Sequence, residues 1–398
     1  MASPSPSQLP PLPTQMKAVQ LISFNEPYSL NLVPVPTTLS PRELLVKVAV
    51  ASYCHTDSMV AAGVFGTALP ATASHEGSGT VVRVGDGVKG FEVGDRVMCG
   101  LPLGPCGSCG DCFGCEEGEG NGESGYEQYC AHTKGHIGVH IDGCFAEYVR
   151  VDERFTTKLP DELTFTEAAP LACAGRTVWR GVQVTGVRRG EWLLILGSGG
   201  GLGHLGVQFA KGLGIKVIGV DARDEGLKIT KEMGADVVLD ARKTKQEVVK
   251  EVQKVTGGLG AHAAIVLADA KNATALAAAA TRMHGTVVQI AQPEEVVLPF
   301  RELVFRDVRI RGSLLCSPGE SRDMVAFIAE RKKMLRHQLN RREEGIVVEG
   351  TERGFKIETT VFKGLDRIDE VLGLVRSGKI RGKAVVVVDR EQIQEYRG

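Results

Sequence analysis

The chemistry legible in this sequence sits in its cysteines and in one run of glycines. Cys106, Cys109, Cys112 and Cys115 recur at every third position, and Cys130 follows. Thiolates at this spacing converge on one tetrahedral Zn²⁺, and four of them close the site to substrate. There are more candidate sulfurs than ligand positions. The set Cys106, Cys109, Cys112 and Cys130 is preferred, because CGSC opens the cluster directly after Gly104 and Pro105; Cys109, Cys112, Cys115 and Cys130 is the alternative. Cys54 in CHTD, His75 in HEGSG and Cys173 in PLACAGRTVW stand apart from that cluster. Taken singly, each is a residue type often packed in a core. Taken together, two Cys and one His make the three-ligand set of an open zinc site, with a fourth position left for water or substrate.

The glycine run follows an apolar strand at 192–196: Gly197, Ser198, Gly199, Gly200, Gly201, Leu202 and Gly203, with a helical stretch behind it. Such a turn lets backbone amides approach a pyrophosphate while the helix N-terminus supplies positive potential. Asp221 ends the next strand, where a carboxylate would bind the ribose hydroxyls and repel a 2′-phosphate. NAD is therefore expected over NADP, and Arg223 is the one neighbour that argues the other way.

The elements that must position these residues fall into two textures. From 16 to about 150, short β-like runs such as 43–50, 79–84 and 145–151 are broken by glycine, which predicts a mostly β module. From about 190, apolar strands alternate with helical stretches: 192–196, 205–213, 216–220, 236–239, 246–256, 264–267, 273–283 and 286–290. That alternation predicts a doubly wound parallel sheet. After 308–314 the pattern moves off; 330–353 is densely charged without an apolar period and reads as a surface insertion or an extended helix end. A helix at 365–377 and a buried strand at 384–389 are expected to rejoin the first module. Residues 1–15, rich in Pro and Ser, read as a disordered arm, and the Glu- and Gly-rich 116–125 as a solvated loop.

Composition excludes several function classes. Forty-seven Lys and Arg against 48 Asp and Glu leave a net charge of −1, so there is no basic field for nucleic acid or an anionic membrane. No apolar run reaches the roughly 18 residues of a membrane-spanning helix. Ten cysteines without a secretory signal point to a reducing compartment, and the N-terminal arm, which has no Arg, lacks the character of a transit peptide. The expected location is the cytosol.

With CHTD, HEGSG, the cysteine cluster, DGCFAEYV (142–149), PLACAG, GSGGGLG and the late GKIRGKAVVV in this order, the chain resembles the zinc-containing medium-chain alcohol dehydrogenases, particularly those of yeasts and filamentous fungi. The resemblance runs from about 16 to 389. It implies a GroES-like β catalytic domain (16–180 and 318–398, with a charged insertion at 330–353) interrupted by a Rossmann coenzyme domain (181–317), and an active site in the cleft between them. It further implies two Zn²⁺ per subunit. Cys54, His75 and Cys173 would hold the catalytic zinc, with Glu76 a transient ligand and Asp57 orienting the set. Thr56 would accept the alcohol proton, and His55 and Lys383 would contact the cofactor phosphates. The implied reaction is reversible hydride transfer between an alcohol, primary in the first instance, and NAD, giving an aldehyde, in a homodimer or homotetramer.

Three departures from the family pattern stand out. Met59 occupies the position where a histidine often finishes the proton relay, Phe65 and Ala68 stand in a stretch where ethanol-active relatives carry indoles, and Lys383 replaces the usual arginine. The second suggests a pocket wider than ethanol needs. Polyol or secondary-alcohol dehydrogenases often use Glu as the third ligand, so Cys173 argues against them; zinc-free reductases of the same fold lack both cysteine sets. A non-catalytic zinc- and nucleotide-binding protein is the alternative from another class, and the intact ligands together with Thr56 disfavour it.

Overall fold

β-Branched runs punctuated by glycine build the first module as a sheet, antiparallel except for its Lys383–Val387 and Thr359–Lys363 pair, around one strand, Glu43–Ser52, buried at every position except Lys47. In this computed structural model, which describes residues 11–113, 125–343 and 354–394, Glu76–Val84 covers one edge of that strand. On the other edge Tyr148–Asp152 takes its first half and Lys383–Val387 its second. The sheet order is Thr157–Lys158, Arg96–Met98, Glu76–Val84, Glu43–Ser52, Lys383–Val387, Thr359–Lys363. The late strand thus rejoins the first module across more than 300 residues of sequence. Register decides what meets at the end of this sheet. Ser52 lies opposite both Glu76 and Val385, so the chain enters Cys54 beside the place where His75 leads into its strand and Lys383 begins its own. Val46, Val48, Val81, Phe145, Val149 and Val386 pack into the core beneath.

The second module is a six-stranded parallel sheet in the order Val237–Asp240, Lys216–Asp221, Trp192–Leu196, Ala261–Val266, Thr281–Gln289, Arg309–Gly312. Its central strands are buried on both faces, as their continuous Val, Ile and Leu runs require. Helices Gly203–Gly212, Asp224–Glu232, Lys245–Val255 and Ala273–Ala280 form the crossovers. The last of these stops short of the expected 283, because Thr281 turns to extended backbone and pairs with Ala261.

By internal contacts, residues 1–173, 317–354 and 359–398 form one unit and 174–316 with 355–358 the other. The short return segment is held in the second unit by Gln208, whose amide bonds both the Lys356 N–H and its carbonyl, and by Phe355 stacked against Phe209 at 4.8 Å. The charged stretch after 330 continues the helix Pro318–Glu343; 344–353 lies outside the described residues. At the N-terminus the end of the expected 1–15 arm is ordered into the fold. Leu12 already packs against the Met16 cluster and the strand starts at Gln15, while 1–10 lies outside the described residues. No described helix is long and apolar enough to cross a membrane.

Candidate active site and metal centres

Cys54, His75, Glu76 and Cys173 each offer one donor atom, and these four atoms lie within 4.8 Å of one another. Three pieces of local structure bring them together. Cys54 caps the short helix His55–Ala61. His75 follows Ser74, whose φ of +71° is left-handed backbone that a residue with a β-carbon adopts only under constraint. Cys173 sits in a π-helical turn, Leu171–Gly175, directly after the helix that ends at Pro170; such turns re-aim a side chain out of helical register. The preceding helix is tied to the Glu76 strand by Ser78, whose hydroxyl donates to the Phe165 carbonyl at 2.7 Å.

Asp57 links the first two pieces. Its carboxylate accepts the Cys54 N–H at 2.8 Å and the Ser74 N–H at 3.0 Å, and one oxygen stands 3.9 Å from His75 Nδ1. Ser74 is held further by its hydroxyl donating to the Ser52 carbonyl. Gly138 and Gly143 crowd this point: a β-carbon on Gly143 would lie 2.0 Å from the Ser74 oxygen, and one on Gly138 2.3 Å from it. Thr56 Oγ1 is 3.8 Å from Cys54 Sγ.

The electrostatics fit a cation. Burial raises Glu76 to about 7 and Asp57 to about 6. Burial opposes charge on His75 as well, but the Cys54 thiolate, Asp57 and Glu76 outweigh it and push the imidazole up to about 9. Cys54 is held well below the ordinary thiol range, chiefly by the Cys173 thiol donating to it and then by Lys383 and His75. Neither His75 ring nitrogen makes a hydrogen bond of ordinary geometry among the described residues, although both are buried. A buried imidazole facing two sulfurs is the donor set of zinc.

Lys383 was expected at a cofactor phosphate. It is only 5% exposed, and its ammonium contacts both Glu76 oxygens, at 3.0 and 2.7 Å. The physical reason is that a fully buried carboxylate requires a countercharge. His55 is exposed at the start of its helix, and Phe65 packs onto the core cluster of the first unit.

Cys106, Cys109, Cys112 and Cys130 form the other donor set. Their sulfur separations are 3.8 Å (106 to 112), 3.5 Å (109 to 112), 3.9 Å (109 to 130) and 3.6 Å (106 to 130). A tetrahedron with Zn–S bonds of about 2.3 Å has edges of about 3.8 Å, so the four sulfurs fit one zinc. The Ser108 N–H donates to Cys106 and the Cys106 N–H to Cys130. The lobe is anchored by Arg154, which pairs with Asp152 and donates to the Pro105 carbonyl, while Asp152 accepts the Gly104 N–H. Cys115 and most of 116–125 lie outside the described residues.

In the second unit the turn 197–203 joins its strand to the helix Gly203–Gly212. Gly197 takes φ +80°, and β-carbons on Gly199 or Gly203 would strike backbone at 2.0 and 2.1 Å, so glycine is required at each. Gly200, Gly201 and Leu202 complete the turn, and the Gly199 N–H donates to Asp221 at 3.0 Å. A cavity of about 700 Å³ opens beside it, lined by Gly197, Gly200, Asp221 and Arg223 among others.

Sequence reasoning missed Ser74, Arg154 and the pairing of Lys383 with Glu76. A serine in left-handed backbone carries no sequence signal, and partners 307 residues apart show no spacing.

A mostly antiparallel β unit with two converging sets of metal donors, together with a doubly wound unit with a glycine turn, fits a zinc-binding dehydrogenase. Comparison with known proteins agrees: residues 40–161 match the alcohol dehydrogenase GroES-like domain and 201–330 the zinc-binding dehydrogenase family. An alcohol dehydrogenase of Geobacillus stearothermophilus is 33% identical over 383 residues, 94% of this chain and 100% of the relative. Among solved structures, an alcohol dehydrogenase from Aeropyrum pernix is 28% identical, with a TM-score of 0.76 over 93% of this chain and 99% of its own. An NAD-dependent alcohol dehydrogenase is also 28% identical, with a TM-score of 0.74 over 94% and 100%. The chain belongs to the zinc-containing medium-chain alcohol dehydrogenase family.

Proposed function

We propose that this zinc-dependent alcohol dehydrogenase interconverts a primary alcohol and its aldehyde, with NAD as the hydride carrier. The observation that carries the reading is the convergence of Cys54, His75 and Cys173 donors within 4.8 Å, with the Thr56 hydroxyl beside Cys54. Zinc held by that set would supply the Lewis acidity that lowers the alcohol pKa, and NAD bound at the turn 197–203 would supply a hydride acceptor.

The chain's own residues do the rest. Cys54, His75 and Cys173 hold the metal, and Glu76 stands within the same set. Asp57 fixes the two ligand-bearing segments through their amides. Thr56 Oγ1 would take the alcohol proton, and Met59 offers no second relay group to carry it onward. Cys106, Cys109, Cys112 and Cys130 hold a structural zinc, a role that their tetrahedral spacing supports. The turn 197–203 binds the dinucleotide phosphates, and Asp221 faces the ribose.

Phe65 packs against the core and Ala68 offers only a methyl group, which supports a preference for alcohols larger than ethanol. NADH formation by the zinc-loaded enzyme over ethanol, longer primary, secondary, aromatic and polyhydric alcohols tests the reading. The expected result is turnover with primary alcohols and a kcat/KM that rises with chain length or an aromatic group. A steady fall from ethanol upwards overturns the size preference, and no turnover with any alcohol overturns the activity.

Partnership with a second copy is supported by the apolar surface at Phe300, Val304 and Phe305, each more than 60% exposed, next to the sheet-edge strand Arg309–Gly312. A cytosolic location suits thiolate ligands that must stay reduced.

A further inference from the structure

We propose that a second cavity in the second unit, at the opposite end of the sheet from the glycine turn, binds a small phosphorylated anion. The cavity measures about 300 Å³, and Arg188, Glu191, His262, Arg282, His284 and Thr286 line it. Arg188 and Glu191 lie in the loop that enters the strand Trp192–Leu196, whereas the turn 197–203 leaves that strand's other end. A strand of this length spans roughly 16 Å, and the two cavities share no lining residue. A break in strand register builds the site. Thr281–Gln289 pairs Thr281 with Ala261 and Thr286 with Ala263, so 282–285 stand opposite His262 alone. Bulges re-aim side chains and recur beside functional sites. His284 takes left-handed backbone at φ +63°, held there by its N–H donating to the Arg306 carbonyl at 2.9 Å. The next residue must be glycine: a β-carbon on Gly285 would lie 2.4 Å from Thr281 Cγ2 and 2.7 Å from the His262 oxygen. A histidine constrained to this backbone at the rim of a cavity is strain of the kind that ligand sites retain.

Cations outnumber carboxylates on this wall. Glu191 is the one carboxylate that lines it, and its charge is engaged: one oxygen accepts the Arg188 N–H at 2.9 Å and the other stands 3.6 Å from His262 Nε2. His262 Nδ1 accepts the Trp192 N–H at 3.1 Å, so the neutral ring carries its hydrogen on Nε2. His284 faces Asp307 at 2.9 Å. The Arg188 and Arg282 guanidinium groups, by contrast, make no ion pair with a carboxylate among the described residues. Burial first, and then the Arg282 charge, hold the His262 imidazole below its ordinary pKa in spite of Glu191. The positive potential of the wall is therefore not cancelled from within. Two guanidinium groups can each present paired N–H donors to one phosphate, and the Thr286 hydroxyl adds a donor that makes no hydrogen bond among the described residues. Val187 is the one apolar side chain on the wall, so the body of the ligand must be polar as well. At about 30 Å³ per water the cavity holds about ten waters, more than a bare phosphate displaces. That size suits the phosphate ester of a small polyol.

The test is calorimetric titration of glycerol 3-phosphate and of inorganic phosphate into the full-length, zinc-loaded chain at fixed ionic strength, with and without saturating NAD. A single site is expected, with an affinity that NAD leaves unchanged and that falls about tenfold or more in Arg282→Gln. Arg188→Gln, in an exposed loop, should lower it by about threefold. Should Arg282→Gln lower the melting temperature, the Arg188→Gln titration decides alone. Tighter binding of glycerol 3-phosphate supports the site with an ester as its occupant, and inorganic phosphate bound as tightly or more so supports it with the free ion. Displacement by NAD would overturn the proposal, because the phosphate would then occupy the glycine turn. Parental affinity in both variants, or binding of neither ligand, would overturn it as well.

Discussion

Asp57 and Lys383 show how single residues set the metal chemistry. Asp57 gives both carboxylate oxygens to backbone amides, and through them fixes where Cys54 and His75 stand. Lys383 supplies the cation that a fully buried Glu76 requires. Replacing it, as in Lys383→Met, leaves that carboxylate without its buried cation and should destabilise the first unit by about 3 kcal/mol. Lys383→Arg should recover much of the loss. Melting temperature and bound zinc, measured on both variants, check this; a Met variant as stable as the parent would contradict it. At this scale the side chains that converge were legible, because Cys and His declare their chemistry by type and spacing. Lys383 was not: its residue type fitted a phosphate contact equally well, and only the strand register reveals that it begins next to Glu76.

Elements decide whether those ligands converge. The left-handed Ser74 delivers His75, and it is boxed in by two glycines on a separate segment. A methyl group at Gly143 must displace Ser74, so Gly143→Ala should weaken zinc at the Cys54, His75 and Cys173 set by about 10- to 100-fold. The Cys106 set should remain filled. Metal retention during dialysis against a chelator measures this, and parental retention of both ions would count against the packing argument. The central strands of the second unit were readable from sequence because both their faces are buried, which makes them continuous apolar runs. Thr359–Lys363 escaped notice because it is half exposed and lacks a clean alternation, and the return of 355–358 to the second unit depends on Gln208 and Phe209, far away in sequence. The π-turn under Cys173 was equally hidden, since Leu-Ala-Cys-Ala-Gly carries no residue pattern that marks such a turn.

For the whole molecule, a near-zero net charge removes steering as a factor and leaves buried carboxylates to govern stability in acid. Glu43 is the clearest case. Burial would raise its pKa, but hydrogen bonds from the Ser40 amide and from Lys134 hold it below the ordinary 4.5. A lowered native pKa means that the unfolded chain binds the proton more readily. The stabilisation is therefore complete above the ordinary value and is lost as pH falls through the native one. Glu43→Gln should cost about 1 kcal/mol at neutral pH, and the two proteins should converge in strong acid. Thermal melts across pH check this, and a difference that persists unchanged below that range would contradict it. The most direct test of the central claim, that an open three-ligand zinc site carries the alcohol chemistry apart from a closed four-cysteine one, is zinc content measured together with NADH formation in Cys54→Ser. The account predicts one zinc retained per chain, a melting temperature near the parent's, and alcohol turnover lowered by about a thousandfold or more. Parental turnover with a single zinc, or loss of both ions together, would contradict it.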